Sequence, residues 1–233
     1  MTNIEYDIKK AANSRPIADR HLRQFLMEPE SIKKQLDLIG PILLGKKVLF
    51  LGDADSISPL LAKYYNVKPL LLEIDDRVRT NLKRLYGEFN IKDTKIFEYD
   101  ALLPTTSIMR QDICDGFYLN PPYSHRSHTG PRVWLQRTME MVNKDSVGIL
   151  TIPFSNDNNH IEPWVIKGQR IVRDYLSENN FEILRIDKNI HNYETINFRS
   201  DNIVLKWHGS DVQELRFKLL DDTLNGWEVK TVV

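Results

Sequence analysis

Residues 47–55 read KVLFLGDAD, and the fold class follows from this stretch. Its first five residues are an apolar run between Gly45 and Gly52, which is typical of a strand buried on both faces of a parallel sheet. The run PLLLEI at 69–74 repeats the pattern, and a helix is expected between the two runs from about Pro59 to Tyr65. The order strand, helix, strand predicts a right-handed βαβ unit.

The remainder of the chain continues this alternation. Later strands are predicted at the apolar runs 95–99, 115–119, 146–152, 181–186 and 202–207. Three further helices are predicted. One runs from Asp75, which can cap it, through Leu85; another begins at Pro131; and the last lies around residues 171–179. We therefore expect an α/β protein with a Rossmann-like, mostly parallel, doubly wound sheet whose last strand is antiparallel.

Three segments are predicted along the chain. Residues 1–40 form an N-terminal helical flank, in which a helix from Ser31 ends at Gly40-Pro41. Residues 41–208 form the Rossmann-like catalytic domain, and residues 209–233 form a C-terminal extension.

The composition limits the classes of function. The chain has 233 residues, of which 41% are hydrophobic and 27% charged, so it can bury a core of its own. Its 32 basic and 32 acidic residues give no net charge that would attract nucleic acid or an anionic membrane at long range. The single Cys114 excludes an internal disulfide framework and a cysteine zinc site. With a mean hydropathy of -0.41 and no long apolar run, we expect a cytoplasmic protein that does not bind membranes.

Polar residues follow four of the predicted strands, where an open α/β sheet binds its ligands. Together with their neighbours, the candidate site residues are Gly52, Asp53 and Asp55 after the first strand, Glu73 in the second, Asp100 after the third, and Asn120, Pro121, Pro122 and Tyr123 after the fourth. Glu73 lies about 20 residues beyond the first turn, where nucleotide-binding sheets place an acid that accepts hydrogen bonds from ribose hydroxyls. The sequence therefore predicts an adenosine site with Glu73 at the ribose and Asp100 at the adenine.

The first turn argues against phosphate ligands. It contains no GxxxxGK motif, and its two acidic residues would repel a pyrophosphate, which disfavours NAD and ATP. A cationic adenosine cofactor, such as a sulfonium, suits these acids. Helix capping is the alternative function of Asp53 and Asp55, and a rigid turn is the alternative function of Pro121-Pro122.

Other candidate residues receive structural interpretations. His125 and His128 have no cysteine or carboxylate pattern near them, so no metal site is predicted. Trp134 and Cys114 are predicted to be buried in the core.

The motif Asn120-Pro121-Pro122-Tyr123 resembles that of class I S-adenosylmethionine-dependent methyltransferases that methylate amino nitrogens. The resemblance implies that the Asn120 side-chain oxygen and the Pro121 carbonyl accept the two amine hydrogens, while Tyr123 stacks on the target base. It implies S-adenosylmethionine as cofactor and adenine in DNA or RNA as acceptor, with a partner subunit as a possible source of target recognition. Gln24-Phe25 resembles a flanking motif of the same enzymes, which implies that Phe25 covers the cofactor.

A second resemblance extends over residues 24–207. The order GKKVLFLGDAD (45–55), LEIDDRV (72–78) and NPPY (120–123) is similar to the catalytic domain of branched-chain polyamine synthases. It implies aminopropyl transfer from decarboxylated S-adenosylmethionine to a polyamine. Those enzymes have Gly-Asp-Asp-Asp and Asp-Pro-Pro-Tyr, so Ala54 and Asn120 each remove one negative charge. A non-catalytic module that binds nucleotides or nucleic acid on the same fold is the third hypothesis.

Overall fold

The computed structural model describes residues 3–106, 108–122, 129–153, 163–194 and 199–209. Tyr123, His125 and His128 lie outside the described residues, as does the predicted extension after Gly209. The division into three segments therefore stays a prediction.

The described residues form one seven-stranded sheet with helices on both faces. The strands are β1 (Lys47–Leu51), β2 (Lys68–Glu73), β3 (Lys95–Glu98), β4 (Cys114–Leu119), β5 (Val142–Ile152), β6 (Phe181–His191) and β7 (Ser200–Trp207). The helices in these ranges are α1 (Asn3–Ser14), α2 (Pro29–Leu43), α3 (Ile57–Tyr65), α4 (Asp76–Glu88), α5 (Thr129–Met141) and α6 (Pro163–Glu178), with a short 3-10 helix at Met109–Gln111. Among them, no helix has the length and apolar character needed to cross a membrane.

The strand order is β3-β2-β1-β4-β5-β7-β6. Strands β1 to β5 pair in parallel, and β7 lies antiparallel between β5 and β6. The direction of winding reverses between β1 and β4, so their carboxyl ends border the crevice in which such sheets bind ligands. The predicted fold class is confirmed.

Both faces of β1 are buried, which explains its continuous apolar run. Val48 and Phe50 pack into the core cluster that contains residues of α1 to α4. Leu49 and Leu51 pack into the opposite cluster, which contains residues of α5 and α6. Successive side chains of a strand point to opposite faces, so a strand between two helix layers has no polar face.

The predicted end of α2 at Gly40-Pro41 is wrong, because the helix continues to Leu43 with Pro41 inside it. Gly40 serves close packing instead of ending the helix. A Cβ atom at Gly40 would overlap the ring of Tyr65 at the end of α3. This contact between α2 and α3 stabilises the last turn of α2, although Pro41 has no N–H to donate within the helix.

The strands that differ most from their predicted ranges are β5 and β6. β5 begins at Val142 and not at Ser146, and β6 continues beyond Ile186 to His191. β6 is an edge strand on which buried, half-buried and exposed residues mix, and its extension pairs with β7 as far as Ser200. Because an edge strand can carry polar residues, the pattern of hydrophobic residues does not predict the full length of β6.

Candidate active site

A cavity of about 500 Å³ lies at the carboxyl ends of β1, β2 and β4. It is lined by all nine predicted site residues that fall in the described part of the chain: Phe25, Gly52, Asp53, Asp55, Glu73, Asp100, Asn120, Pro121 and Pro122. The structure thus brings these residues together at the switch in strand order, while Tyr123 lies outside the described residues.

Gly52 lines the cavity at the end of β1. Its φ of +66° is in the left-handed region, and its N–H donates to the Leu72 carbonyl at 2.8 Å. A Cβ atom at Gly52 would lie 2.9 Å from Cη2 of Trp134 and 3.6 Å from Oε2 of Glu73. The absence of a side chain at Gly52 therefore lets the Trp134 ring pack directly against the turn after β1.

Asp53 turns its buried carboxylate to the first turn of α3. Oδ1 accepts from the Ile57 N–H at 2.8 Å, and Oδ2 accepts from the Ser58 N–H at 2.9 Å and from the Ser58 hydroxyl. Burial raises the pKa of Asp53 to about 7, against the lowering effect of these donors. Asp53 therefore lines the cavity and also caps the helix.

Asp55 has different partners. Its Oδ1 accepts from the Met27 N–H at 2.7 Å and lies 3.4 Å from Nη1 of Arg15. Its Oδ2 accepts from Nδ2 of Asn120 at 3.0 Å. Burial raises the pKa of Asp55, and the nearby Arg15 guanidinium opposes that rise. This carboxylate links the turn after β1 to the first residue of the Asn-Pro-Pro motif.

Glu73 ends β2 with a buried carboxylate between two backbone amides. Oε2 accepts from the Asp53 N–H at 3.0 Å, and Oε1 accepts from the Asp75 N–H at 2.8 Å. Burial raises the pKa of Glu73. Asp75 caps α4, as predicted, by accepting from the Arg77 N–H at 2.9 Å. Asp100 is half-buried, and its Oδ1 accepts from the Leu102 N–H at 2.9 Å.

The segment 21–28 borders the cavity from the N-terminal side. Nε2 of Gln24 donates to Oδ2 of Asp75 at 3.0 Å, which holds the adjacent Phe25 at the cavity wall. Met27 and Tyr193 form an isolated antiparallel bridge. The segment is therefore tied both to α4 and to the chain after β6.

Sequence reasoning missed several lining residues. Trp134 is half-buried at the cavity and beside Gly52, whereas a core position was predicted. Tyr118, Thr151 and Tyr193 also line the cavity. For Tyr118 a signal was present, because it lies near the end of β4, two positions before Asn120, where the strand reaches the crevice.

The charges of the lining favour a cationic ligand. Four acids, Asp53, Asp55, Glu73 and Asp100, line the cavity, whereas the basic side chains of its described lining are the exposed His21 and Arg23. Within the described ranges, no group of three or more His, Cys, Asp or Glu side chains could hold a metal ion. Carboxylates at the ends of β2 and β3 can accept from ribose hydroxyls and an adenine amino group, so these residues fit an adenosyl sulfonium.

Solved structures share this fold. The branched-chain polyamine synthase of Thermus thermophilus, crystallised with N4-aminopropylspermidine and 5′-methylthioadenosine, has 18% identity and a TM-score of 0.72 over 88% of this chain. This chain spans 63% of the length of that enzyme. A Pyrococcus horikoshii protein described provisionally as an RNA methyltransferase has 16% identity and a TM-score of 0.64, with 89% of this chain and 98% of that chain covered.

A methyltransferase of Pyrococcus furiosus has 13% identity and a TM-score of 0.56, with 79% of this chain and 86% of that chain covered. The fold is therefore that of class I methyltransferases, which the polyamine synthase shares. Comparison with curated proteins gave no significant match. The branched-chain polyamine synthase A C-terminal domain family matches residues 3–212, and the chain belongs to that family.

Proposed function

We propose that this protein transfers an aminopropyl group from decarboxylated S-adenosylmethionine to an amine. The observation that carries the proposal is the position of Asp53. Its carboxylate accepts hydrogen bonds from the Ile57 and Ser58 N–H groups at the start of α3. The carboxylate of S-adenosylmethionine would need these same donors. Asp53 and Asp55 would repel an anionic group at this position, whereas they would attract an ammonium group.

The described residues suit the separate parts of such a cofactor. Glu73 would accept from the ribose hydroxyls, and Asp100 would accept from the adenine amino group. The cavity that Gly52 and Trp134 line would admit the adenosine, and Asp53 would lie near the ammonium end of the cofactor.

The acceptor side is formed by the Asn-Pro-Pro motif. Asn120 and Pro121 lie at the cavity, where the Asn120 oxygen and the Pro121 carbonyl would accept the N–H hydrogens of the acceptor amine, two on a primary amine and one on a secondary amine, and orient its lone pair. When bound, the sulfonium would supply an electrophilic carbon. An aliphatic acceptor amine is an ammonium group near neutral pH, so it would first release a proton to water; its lone pair would then form the N–C bond as the C–S bond breaks, and sulfur would keep the electron pair of the broken bond. Asn120 and Pro121 would supply the alignment of the amine.

Membership in the polyamine synthase family supports the same reaction. The Thermus thermophilus enzyme was crystallised with an aminopropylated spermidine and with 5′-methylthioadenosine, the thioether that aminopropyl transfer leaves behind. A polyamine is therefore the acceptor class that we propose. Ala54 and Asn120 leave this site with fewer carboxylates than the motifs of that family contain.

Methylation of an exocyclic amino group, such as that of adenine in DNA or RNA, is the second candidate. The observation in its favour is Asn120, because a neutral amide suits a neutral aromatic amine as well as it suits an aliphatic one. In that reaction S-adenosylmethionine would be the cofactor, and a partner subunit could supply target recognition.

Calorimetry and product analysis separate these candidates. We expect decarboxylated S-adenosylmethionine to bind at least about tenfold more tightly than S-adenosylmethionine, a difference of about 1.4 kcal/mol, and to give methylthioadenosine with spermidine or spermine. Asn120→Ala should keep cofactor binding and lose product. Asn143→Ala, which removes an exposed side chain bonded to Asp115, is the matched control with full turnover.

Other outcomes would overturn the proposal. Preference for S-adenosylmethionine with methylated DNA or RNA as product would establish the second candidate. An intact fold without turnover of either cofactor, on polyamines or on nucleic acid, would identify a non-catalytic binding module. Full turnover by Asn120→Ala would exclude the role assigned to the motif.

A further inference from the structure

We propose that Arg15 is a positioning residue for the acceptor site: it holds Asp55 as a carboxylate, and this carboxylate fixes which end of the Asn120 amide faces the acceptor amine. The inference rests on the proposed transfer to an amine and applies to both candidate reactions. It assigns a function in the site to the N-terminal flank, which lies far from the Asn-Pro-Pro motif in sequence.

Arg15 is held rigidly although it directly follows a surface helix. Only 3% of its side chain is exposed. Nε donates to the Ala12 carbonyl at 2.9 Å, and Nη1 donates to the Met27 carbonyl at 2.8 Å. Nη1 also faces Oδ1 of Asp55 at 3.4 Å, and Nη2 donates to Oε1 of Glu194 at 2.5 Å. A buried guanidinium with four fixed partners is a permanent positive charge beside Asp55.

The bond between Asp55 and Asn120 has only one possible direction while Asp55 is ionised. A carboxylate accepts hydrogen bonds and cannot donate them, so Asn120 must present Nδ2 to Oδ2 of Asp55. The Asn120 oxygen is then the end of the amide that remains for the acceptor amine. A protonated Asp55 could donate to that oxygen, and the amide would turn its nitrogen to the amine, where a second donor cannot bind an N–H.

The charges around Asp55 determine how long it stays ionised as the pH falls. Burial raises its pKa, and Arg15 is the largest opposing influence, followed by the bonds from Met27 and Asn120. Among the described residues, Glu194, Asp53, Tyr118 and Tyr193 are titratable groups close enough to Asp55 to interact with its charge. Glu194 acts in the opposite direction to Arg15. Removal of Arg15 should therefore extend protonation of Asp55 to higher pH, whereas removal of the Glu194 charge should not.

The test compares Arg15→Met with Glu194→Gln. The side-chain amide signals of Asn120, assigned by their loss in Asn120→Ala, are followed by NMR between pH 5.5 and pH 8.5. We expect the Asn120 amide signals to change position at a higher pH in Arg15→Met than in the unchanged protein. In Glu194→Gln, the pH of this change should not be higher than in the unchanged protein. Turnover of Arg15→Met should fall about tenfold at pH 6 relative to pH 8.5, beyond any change in the unchanged protein. Methylthioadenosine affinity should stay within about threefold, because the residues that face adenosine are unchanged.

Parallel pH profiles for Arg15→Met and the unchanged protein, in the amide signals and in turnover, would overturn the inference. If Arg15→Met does not fold, Asp55→Asn tests the same bond with a side chain of the same shape. Its amide can donate to the Asn120 oxygen at every pH, so turnover should fall about tenfold without a pH dependence of its own. If the unchanged protein turns over neither cofactor, the proposed reaction fails, while the amide signals still test the linkage.

Discussion

Oε2 of Glu73 accepts a hydrogen bond from the backbone N–H of Asp53 at 3.0 Å, which ties the end of β2 to the turn after β1. The second oxygen of Glu73 accepts from the Asp75 N–H at 2.8 Å. Two backbone amides therefore fix the plane of a carboxylate that borders the cavity. The remaining lone pairs of its oxygens are directed by these bonds before any ligand arrives, which lowers the entropic cost of binding.

Replacement of Glu73 by Gln should weaken the binding of methylthioadenosine. The amide keeps the shape but loses the charge, and its nitrogen cannot accept from a ribose hydroxyl or from a backbone N–H. Since hydrogen bonds to charged groups contribute about 1.5–3 kcal/mol, we expect an affinity loss of about tenfold or more by calorimetry.

Glu98→Gln is the matched control for this substitution. Glu98 lies opposite Glu73 in the register of β2 and β3, but its carboxylate is exposed and pairs with Arg79. The control should bind methylthioadenosine like the unchanged protein. Equal affinities for Glu73→Gln and Glu98→Gln would exclude a ribose contact at Glu73.

The position of the cavity could be predicted because parallel strands end at one edge of a sheet. The apolar runs of β1, β2 and β4 fix the strand ends, and the polar residue that follows each end must then lie at the crevice. This reasoning needs no knowledge of side-chain contacts. It located Asp53, Glu73 and Asn120 in one cavity.

Contacts between distant segments could not be predicted in the same way. Arg15 and Asp55 are 40 positions apart, and a lone arginine in a polar segment has no pattern that distinguishes it from a surface charge. Helical periodicity placed Trp134 on an apolar face of α5, but it does not reveal whether that face borders a core or a cavity. Gly40-Pro41 is similarly ambiguous, because the sequence does not distinguish a glycine that ends a helix from a glycine that makes room for the ring of Tyr65.

Trp134 should report ligand binding. Its ring lies beside Gly52 at the cavity, so bound methylthioadenosine should change its fluorescence. We expect Trp134→Phe to lose most of the ligand-dependent change. Trp207→Phe should keep it, because Trp207 is buried in β7 against Phe181. An unchanged signal in Trp134→Phe would place the adenosine elsewhere.

Two glycine substitutions should have opposite effects on stability. Gly52→Ala places a side chain at a φ of +66° and 2.9 Å from Trp134, which should lower the free energy of unfolding by about 1–2 kcal/mol. Gly87→Ala lies in α4, and apart from the chain neighbours and the backbone of the helix itself, no atom of the described residues lies within 4 Å of the added Cβ. This substitution should raise the free energy of unfolding by about 0.5–1 kcal/mol. Urea denaturation measures both. Equal effects would contradict the close contact between Gly52 and Trp134, and methylthioadenosine affinity should fall in Gly52→Ala alone.

The buried Asp53 should make stability depend on pH. Its pKa is about 7 in the folded protein and 3.8 in an unperturbed chain, so between these values the folded state binds the extra proton. Its contribution to stability therefore falls as the pH rises from about 4 to about 7 and is constant above. Asp53→Asn removes this dependence. The free energy of unfolding of the variant, relative to that of the unchanged protein, should therefore rise by at least about 1 kcal/mol between pH 5 and pH 7.5.

Asp112→Asn is the control. Its free energy of unfolding should change with pH in parallel with that of the unchanged protein over that range, because Lys95 and Lys47 lower the pKa of Asp112. A parallel curve for Asp53→Asn would mean that Asp53 is ionised throughout, and its attraction for an ammonium group would then be present at every pH in the range.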